Sequence, residues 1–397
     1  MNPAFFGDIS RPDERCLELF RRTPELGPTL LFFSGGTALK ETSEELVRYT
    51  HNSIHIVTAM DSGGSSAELR RAFHMPAIGD LRQRLLTLAD QSWRGNPAVR
   101  TLFGFRLDKS GEQQALKEEL LAMTKGTHPL VRAVLEPQRA VICHLLEHFV
   151  AHMPEGFNLR GASIGNLVLT GGYLSQNRQL DPVIYMFSQL VRARGTVALI
   201  SNEFLHLAAC CASGRIVVGQ HLLTGKEAPP LNDPIERIFL TRSLDETEEI
   251  SVGIEEKIAD LIAYADLICY PMGSFYSSLL VNFLPAGVGA AICANPCPKV
   301  FIPSTRQDPE LFGKTLSGQI EELLIALKKE DPEHIADSDV LNLVLLDENT
   351  DYAGTLDRQA FERRGISVVT RPLVSSSSRP LIDPGLLVPL LVSLACK

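Results

Sequence analysis

The sequence has few of the features that mark a secreted or membrane protein. Its eight cysteines are spread over 397 residues without a CxxC pair, a density too low for a disulfide-rich scaffold. Residues 1–15 contain three acidic side chains and lack the basic segment and apolar run of a secretory signal. The late apolar stretch at residues 386–396 is interrupted by Pro389 and has about half of the ~20 residues that a membrane-spanning helix needs. We therefore expect a cytoplasmic protein without a membrane segment.

Positive charge is also scarce. The chain has 38 Lys and Arg against 47 Asp and Glu, a net charge of -9, which argues against the broad basic face that nucleic-acid binding requires. Small anions are not excluded, because backbone amides can bind them. With 45% hydrophobic and 21% charged residues the composition is that of a globular protein. The length fits two to three domains of roughly 150 residues, or one large α/β domain with an insertion.

Two strand-to-helix units near the start of the chain predict a parallel sheet. Apolar residues 29–33 precede a glycine turn at 34–37, and apolar residues 54–59 precede a second turn at 60–66. Such spacing is typical of a βαβ unit, in which a right-handed crossover joins parallel strands. We therefore expect both turns at the same carboxyl edge of the sheet.

The rest of the chain extends this pattern around a helical segment. Residues 79–152 have helical periodicity with no convincing strand. Further strands are predicted at residues 196–200, 265–270, 299–302, 341–346 and 366–370, with a hairpin at 205–222 and a helix at 275–283. We predict a Rossmann-like, mostly parallel α/β sheet with helices on both faces and a helical insertion. Residues 1–78 would form the first part of the sheet domain, 79–160 the insertion and 161–397 the remainder.

The first turn contains Gly35, Gly36 and Thr37. Glycines after a strand let the backbone approach an anion at a helix N-terminus, where free amides and the helix dipole favour phosphate. The turn lacks the lysine of a Walker A loop and the spacing of a dinucleotide-binding fingerprint. A purely structural tight turn is an equal alternative.

The second turn contains Asp61, Gly63, Gly64, Ser65 and Ser66. A carboxylate beside glycines and hydroxyl groups suits hydrogen bonding to a sugar or phosphate, or the placing of a metal. The structural alternative is an aspartate turn followed by a serine cap.

Two helix starts carry further candidates. Asp80 and Arg82 follow a glycine, and an acid in a first turn often only complements the helix dipole. Gly165 and Asn166 interrupt an apolar run, where glycine weakens a helix and a buried asparagine needs partners. Close approach of the backbone to a ligand would explain this second pair.

A third turn places Gly273 and Ser274 after the strand at 265–270, with Tyr276 and Asn282 in the following segment. Small polar residues again follow a strand, so we assign all four to the phosphate-binding site. Serine capping explains part of the pattern. Scattered histidines such as His206 and His221 are expected to be strand or surface residues.

Together these turns resemble the ordered motifs of the 2-phospho-L-lactate transferase (CofD-like) family, most closely its gluconeogenesis-factor (YvcK-like) branch. The motifs are SGGT at 34–37, TAMDSGGSS at 58–66, PAIGDLR at 76–82, GNL at 165–167, ADLI at 265–268, GSFYSS at 273–278 and Asn282. The resemblance implies a Rossmann-like sheet with a helical insertion. In the transferase branch it implies magnesium-assisted attack by a deazaflavin alcohol on a guanosine diphosphate-linked phospholactate, and in the regulatory branch binding of a UDP-sugar.

The resemblance leaves two functions open. One is a phosphotransferase that moves a phospho-acid or related group from a nucleotide diphosphate conjugate, with Asp61 and Asp80 as catalytic residues and Asp61 as a Mg²⁺ ligand. The other is a non-catalytic sensor of a nucleotide-sugar. Family members usually carry two adjacent acids where this chain has Met60 and Asp61, so we expect a divergent member. A homo-oligomer stays open.

Overall fold

A computed structural model describes residues 12–225 and 228–396 and is built around two sheets. In chain order the strands are β1 (Leu30–Ser34), β2 (Ile54–Val57), β3 (Thr196–Leu199), β4 (His206–Cys211), β5 (Ile216–Val218), β6 (Ile235–Thr241), β7 (Leu267–Tyr270), β8 (Lys299–Phe301), β9 (Leu343–Asp347) and β10 (Ser367–Arg371). The predicted strands and the hairpin are confirmed. Strand β6 was not predicted, because Glu236 and Arg237 break its apolar pattern.

Helices flank the sheets along the whole described chain. They are α1 (Glu14–Arg22), α2 (Lys40–Leu46), α3 (Gly64–Phe73), α4 (Gly79–Thr87), α5 (Pro97–Gly104), α6 (Gln113–Thr124), α7 (Pro129–Arg132), α8 (Gln138–His152), α9 (Ile164–Ser175), α10 (Asp181–Val191), α11 (Gln220–Leu223), α12 (Glu256–Ala263), α13 (Val288–Ala294), α14 (Leu316–Leu327), α15 (Asp337–Val340), α16 (Arg358–Arg363) and α17 (Pro384–Ala395). Helices α3 to α10 all lie between β2 and β3, which agrees with a helical insertion. The domain boundaries at residues 78 and 160 stay predictions.

The larger sheet has seven parallel strands in the order β10-β9-β8-β7-β1-β2-β3. Strand β1 pairs with β2 on one side and with β7 on the other, so the direction of strand addition reverses between β1 and β7. In doubly wound sheets the crevice at such a reversal, at the carboxyl ends of the strands, is where ligands bind. The turns after β1, β2 and β7 therefore meet at this edge, as the sequence predicted.

Alternating residues of β1 show that both faces of the sheet are covered. Leu31 and Phe33 pack into a core cluster on one face, whereas Leu30 and Phe32 pack into a second cluster with α1, α2 and α17. All four side chains are fully buried. A strand buried on both faces explains the uninterrupted apolar run from which β1 was predicted.

Two local features differ from the sequence expectations. The segment predicted as a helix at 275–283 is a π-helical turn (Phe275–Leu279) followed by a 3₁₀ turn (Leu280–Phe283). Cys16 and Cys396 form a disulfide between α1 and the end of α17, which their separation of 380 residues gave no means of predicting.

The membrane and signal expectations have separate outcomes. Within the described residues no helix is long and apolar enough to cross a membrane. Most of the segment considered as a secretory signal, residues 1–11, lies outside the described residues.

Candidate functional site

Two adjoining cavities open at the carboxyl edge of the larger sheet. The larger cavity has a volume of about 300 Å³ and extends toward α4, α9 and α11, and the smaller cavity, of about 150 Å³, lies between the turns after β1 and β7. Both are lined by Thr37, Asp61, Asp80 and Gln220. The larger cavity adds Gly63, Gly64, Ser66, Arg82, Arg106, Asn166, His221 and Thr224, and the smaller adds Gly35, Gly36, Gly273, Ser274 and Ser278.

The turn after β1 requires glycine because other groups press against its backbone. A Cβ at Gly36 would overlap the Asp80 carboxylate, and one at Gly35 would lie 2.6 Å from Ser278 Oγ. Any side chain here would displace these groups, as such close contacts do not occur for real Cβ atoms. The glycines thus bring the β1 turn against α4 and the β7 turn.

Arg84 fixes the same turn from inside the protein. Its side chain is fully buried and donates hydrogen bonds to the carbonyl oxygens of Gly35 (2.9 Å) and Gly36 (3.4 Å) and to Ser43 Oγ (2.8 Å). Burial lowers the pKa of Arg84 to about 10, against the opposing effect of Asp80, so the group is still a cation at neutral pH. A buried guanidinium therefore holds the carbonyl side of the turn.

Arg70 does the same for the turn after β2. It donates to the carbonyl oxygens of Met60 (3.1 Å) and Asp61 (2.8 Å), and its guanidinium lies 5.1 Å from the centre of the Phe204 ring. Burial lowers the pKa of Arg70 to about 10, and the Asp61 carboxylate opposes this shift. Neither Arg70 nor Arg84 was predicted, because an arginine on an amphipathic helix is indistinguishable in sequence from a surface residue.

The turn after β2 combines an aspartate turn with a glycine cap. Asp61 Oδ1 accepts the backbone N–H of Gly63 at 3.1 Å. Gly63 is the N-cap residue of α3, so glycine and not serine occupies the cap position of the structural alternative. Gly64 and Ser66 line the larger cavity, and the side chain of Ser65 lies outside the described part of the structure.

Met60 points away from both cavities. Its side chain is fully buried in the core, and its sulfur accepts a hydrogen bond from Thr58 Oγ1 at 3.4 Å. The residue that stands in place of the family's first acid therefore contributes packing, and Asp61 is the carboxylate that the turn presents to the cavities.

Helices α4 and α9 meet around Arg82. This side chain is buried beside the larger cavity and donates to Ser163 Oγ. Burial and the nearby Arg106 lower its pKa to about 10, and Asp80 opposes them. A Cβ at Gly165 would lie 2.8 Å from Arg82 Cδ and 2.6 Å from the Phe103 carbonyl oxygen, so Gly165 makes room for Arg82. Asn166, the next residue, lines the larger cavity.

Two of the four residues assigned to the segment after β7 line a cavity, and two do not. Gly273 and Ser274 line the smaller cavity, whereas Tyr276 and Asn282 do not. The buried Tyr276 hydroxyl shares its one hydrogen between the Glu322 carboxylate and the Ile235 carbonyl oxygen, and burial raises its pKa. Asn282 donates to the carbonyl oxygen of Ser278 at 2.8 Å and stabilises the π-helical turn.

Two buried carboxylates accept hydrogen bonds from the backbone N–H groups that follow β7. Asp308 accepts the N–H of Phe275 at 2.7 Å, and Glu310 accepts those of Tyr276 and Ser277, both at 2.9 Å. Burial and the neighbouring Asp308 raise the pKa of Glu310. These three amides are already bonded within the protein, so they are not available to an external anion.

Several cavity residues were not predicted from the sequence, namely Gln83, Arg106, Gln220, His221 and Thr224. Gln220 to Thr224 come from the smaller sheet and its short helix α11, far along the chain from the glycine turns. Their contribution depends on tertiary contacts such as that between Ser62 and His221. No local pattern signals it.

The fold and the site together define a doubly wound α/β protein with polar cavities at its topological switch point. A family model described as 2-phospho-L-lactate transferase CofD matches residues 30–374, and the chain belongs to this family. Among curated relatives, a gluconeogenesis factor of Bacillus subtilis (strain 168) is 29% identical over 289 residues, which cover 73% of this chain and 70% of the relative. A gluconeogenesis factor of Halalkalibacterium halodurans is 28% identical over 297 residues, 74% of this chain and 72% of the relative.

A solved structure shares the architecture. The crystal structure of a UPF0052 family member from Bacillus halodurans matches with a TM-score of 0.66 at 21% identity, covering 92% of this chain and 99% of the other. At this identity the match concerns the fold alone.

Proposed function

We propose that this protein is a CofD-like phosphotransferase that binds a nucleotide diphosphate conjugate at the carboxyl edge of the larger sheet. It would transfer a phospho-acid or related phosphoryl-linked group to an acceptor, in the cytoplasm. The observation that carries the proposal is the convergence of Thr37, Asp61 and Asp80 on both cavities, with Arg82 beside them. Family membership supports the same reaction class.

The residues divide into two chemical roles. The glycine turn after β1 would let the oxygens of a diphosphate approach the backbone, and the turn after β2 leads directly into α3, whose N-terminal dipole favours phosphate. Arg82 and Arg106 in the larger cavity would balance the negative charge that develops on the transferred phosphorus group. Asp61 and Asp80 lie where the two cavities join, so they would orient the acceptor between them.

The donor set at this junction fits a magnesium ion. Mg²⁺ prefers oxygen ligands and is commonly held by one or two carboxylates together with substrate phosphates and waters. Asp61 and Asp80, with the Thr37 hydroxyl, line both cavities and provide such oxygens. A bound Mg²⁺ would neutralise charge on the phosphate oxygens.

One observation favours a regulatory alternative. The position where the family usually has the first of its two adjacent acids is Met60, which is buried in the core. Asp61 is then the one acid at this pair of positions in the turn, and the relatives that this chain matches over about 70% of their length are named gluconeogenesis factors. The alternative function is binding of a UDP-sugar or another nucleotide without turnover.

A thermal-shift panel tests the shared binding step. GDP, UDP, UDP-sugars and phosphorylated acids would each be added with and without magnesium. A ligand at 100 times its Kd stabilises the folded state by about 2.7 kcal/mol, so a true ligand should raise the melting temperature clearly. If no nucleotide does so, the proposal is wrong.

Asp61→Asn separates the two functions. In a transferase it should abolish turnover while nucleotide affinity stays within a few-fold, since the carboxylate serves the reaction. In a sensor the wild type shows no turnover, and magnesium leaves affinity nearly unchanged. Asp260→Asn, at an exposed position on α12, is the matched control and should change neither property.

A further inference from the structure

Ser62 and His221 form a paired contact at the wall of the larger cavity. Ser62 Oγ accepts the backbone N–H of His221 at 3.1 Å and also lies 2.8 Å from His221 Nδ1. The two residues are 159 positions apart and join the turn after β2 to helix α11. The Ser62 side chain is only 8% exposed, so water has little access to this contact.

The position of the Ser62 hydroxyl bears on which ring nitrogen of His221 carries the proton. A serine hydroxyl has one hydrogen to donate and two lone pairs with which to accept. One lone pair receives the His221 backbone N–H, and His221 Nδ1 lies 2.8 Å from the same oxygen, within reach of the hydroxyl hydrogen. A hydroxyl that donates to Nδ1 leaves the proton of the neutral ring on Nε2.

His221 Nε2 has no hydrogen bond within the described chain, and the ring lines the larger cavity with Arg82 and Arg106. Arg82 Nε likewise lacks a partner among the described residues. This wall of the cavity therefore presents several donors, whereas the carboxylates of Asp61 and Asp80 lie at the junction with the smaller cavity.

We propose that His221 is a ligand-binding residue whose Nε2–H donates to an anionic oxygen of the phosphoryl group, and that Ser62 is the positioning residue that holds this tautomer. The inference rests on the proposed function, since it assigns one more contact to the same ligand. The chemistry it requires is an anionic oxygen in the larger cavity, whether from a nucleotide diphosphate or from inorganic pyrophosphate.

Two substitutions at His221 isolate the Nε2 donor. Asparagine places its amide near the Nδ1 position and removes the donor at Nε2, whereas glutamine places an N–H near Nε2. We expect His221→Asn to weaken binding of UDP, GDP or pyrophosphate about tenfold or more, and His221→Gln to stay within a few-fold, as measured by titration calorimetry. His152→Asn, on the exposed face of α8, is the matched control and should leave affinity unchanged.

A double-mutant cycle tests the role of Ser62. Ser62→Ala should weaken binding several-fold in the wild type and add little in the His221→Asn background, because Ser62 acts through the ring. Additive losses would overturn the positioning role. Melting curves of each variant show whether a loss of affinity reflects unfolding.

The tautomer itself can be observed without ligand. Nitrogen-15 NMR of the histidine rings at pH 8 should show His221 protonated at Nε2, and Ser62→Ala should mix the two tautomers. A proton on Nδ1 in the wild type would overturn the inference.

The remaining outcomes separate the inference from the proposed function. If nucleotides bind and His221→Asn binds them as well as the wild type does, the inference fails and the proposed function stands. If pyrophosphate alone binds and His221→Asn weakens it, nucleotide binding fails and the His221 contact stands. A wild type that binds none of the probes overturns both.

Discussion

Replacing Met60 with aspartate restores the acid pair of the family and tests which way this side chain points. In the structure the side chain is fully buried and its sulfur accepts a hydrogen bond from the Thr58 hydroxyl, whereas the Arg70 guanidinium binds the Met60 backbone carbonyl oxygen at 3.1 Å. A new carboxylate there would have to lose its hydration or take up a proton.

The expected cost is large. An uncompensated buried charge destabilises a protein by about 3 to 5 kcal/mol, and partial pairing with Arg70 would bring Met60→Asp toward the lower figure. Met60→Leu, which keeps the volume and the apolar character, should cost less than about 1.5 kcal/mol. Urea unfolding of the two variants beside the wild type measures both free energies.

The opposite result would refute this account of the turn. If Met60→Asp unfolds at the same urea concentration as the wild type and binds a nucleotide with a new dependence on magnesium, the side chain faces the ligand and not the core. The turn after β2 would then present two carboxylates, and the argument for a regulatory alternative would lose its structural basis.

Two further predictions concern the surroundings of the site. Burial, with Arg70 and His221 nearby, lowers the pKa of His206 from 6.5 to about 4. Between these pH values the unfolded chain binds a proton at His206 and the folded protein does not, so the free energy of unfolding is highest above pH 6.5 and falls as the pH drops toward 4. The loss of unfolding free energy between pH 7 and pH 4 should therefore be about 2 to 3 kcal/mol smaller in His206→Gln than in the wild type, as measured by urea unfolding. Gly36→Ala should push the turn away from Asp80 and weaken nucleotide binding more than tenfold in calorimetry, whereas Gly104→Ala, where a Cβ meets nothing within 4 Å, should have no effect.

The glycine turns could be predicted because each signal is local. An apolar strand, one or two glycines and a helix start follow one another within about ten residues, and the rule for parallel strands then places the turns after β1, β2 and β7 at one edge. The pairing of Asp61 with Asp80 comes from the family resemblance and not from this rule, because Asp80 lies at the start of α4 and does not follow a strand; in the structure both residues line the two cavities.

Residues whose role depends on distant contacts could not be assigned in this way. Arg84 binds carbonyl groups 48 and 49 positions earlier in the chain, and His221 meets Ser62 across 159 positions. Tyr276 has the local pattern of a site residue, but its hydroxyl is bonded to Ile235 and Glu322, at distances along the chain that no motif encodes. Sequence patterns show where a turn lies, but not which of its side chains face solvent.

The buried arginines have a consequence for how an anion would be selected. The sequence carries a net charge of -9, yet Arg70, Arg82 and Arg84 lie close to the cavities with at most 5% of each side chain exposed. Beyond a Debye length of about 8 Å an approaching anion meets a screened, mostly negative surface and gains no attraction from these cations. Within the cavities the lower polarity of the interior strengthens the attraction. Anions would thus be recognised at contact distance and not drawn in from afar. A small phosphate ligand that enters the cavities gains from the buried cations, whereas polyanions such as nucleic acids, which depend on an extended positive surface, do not.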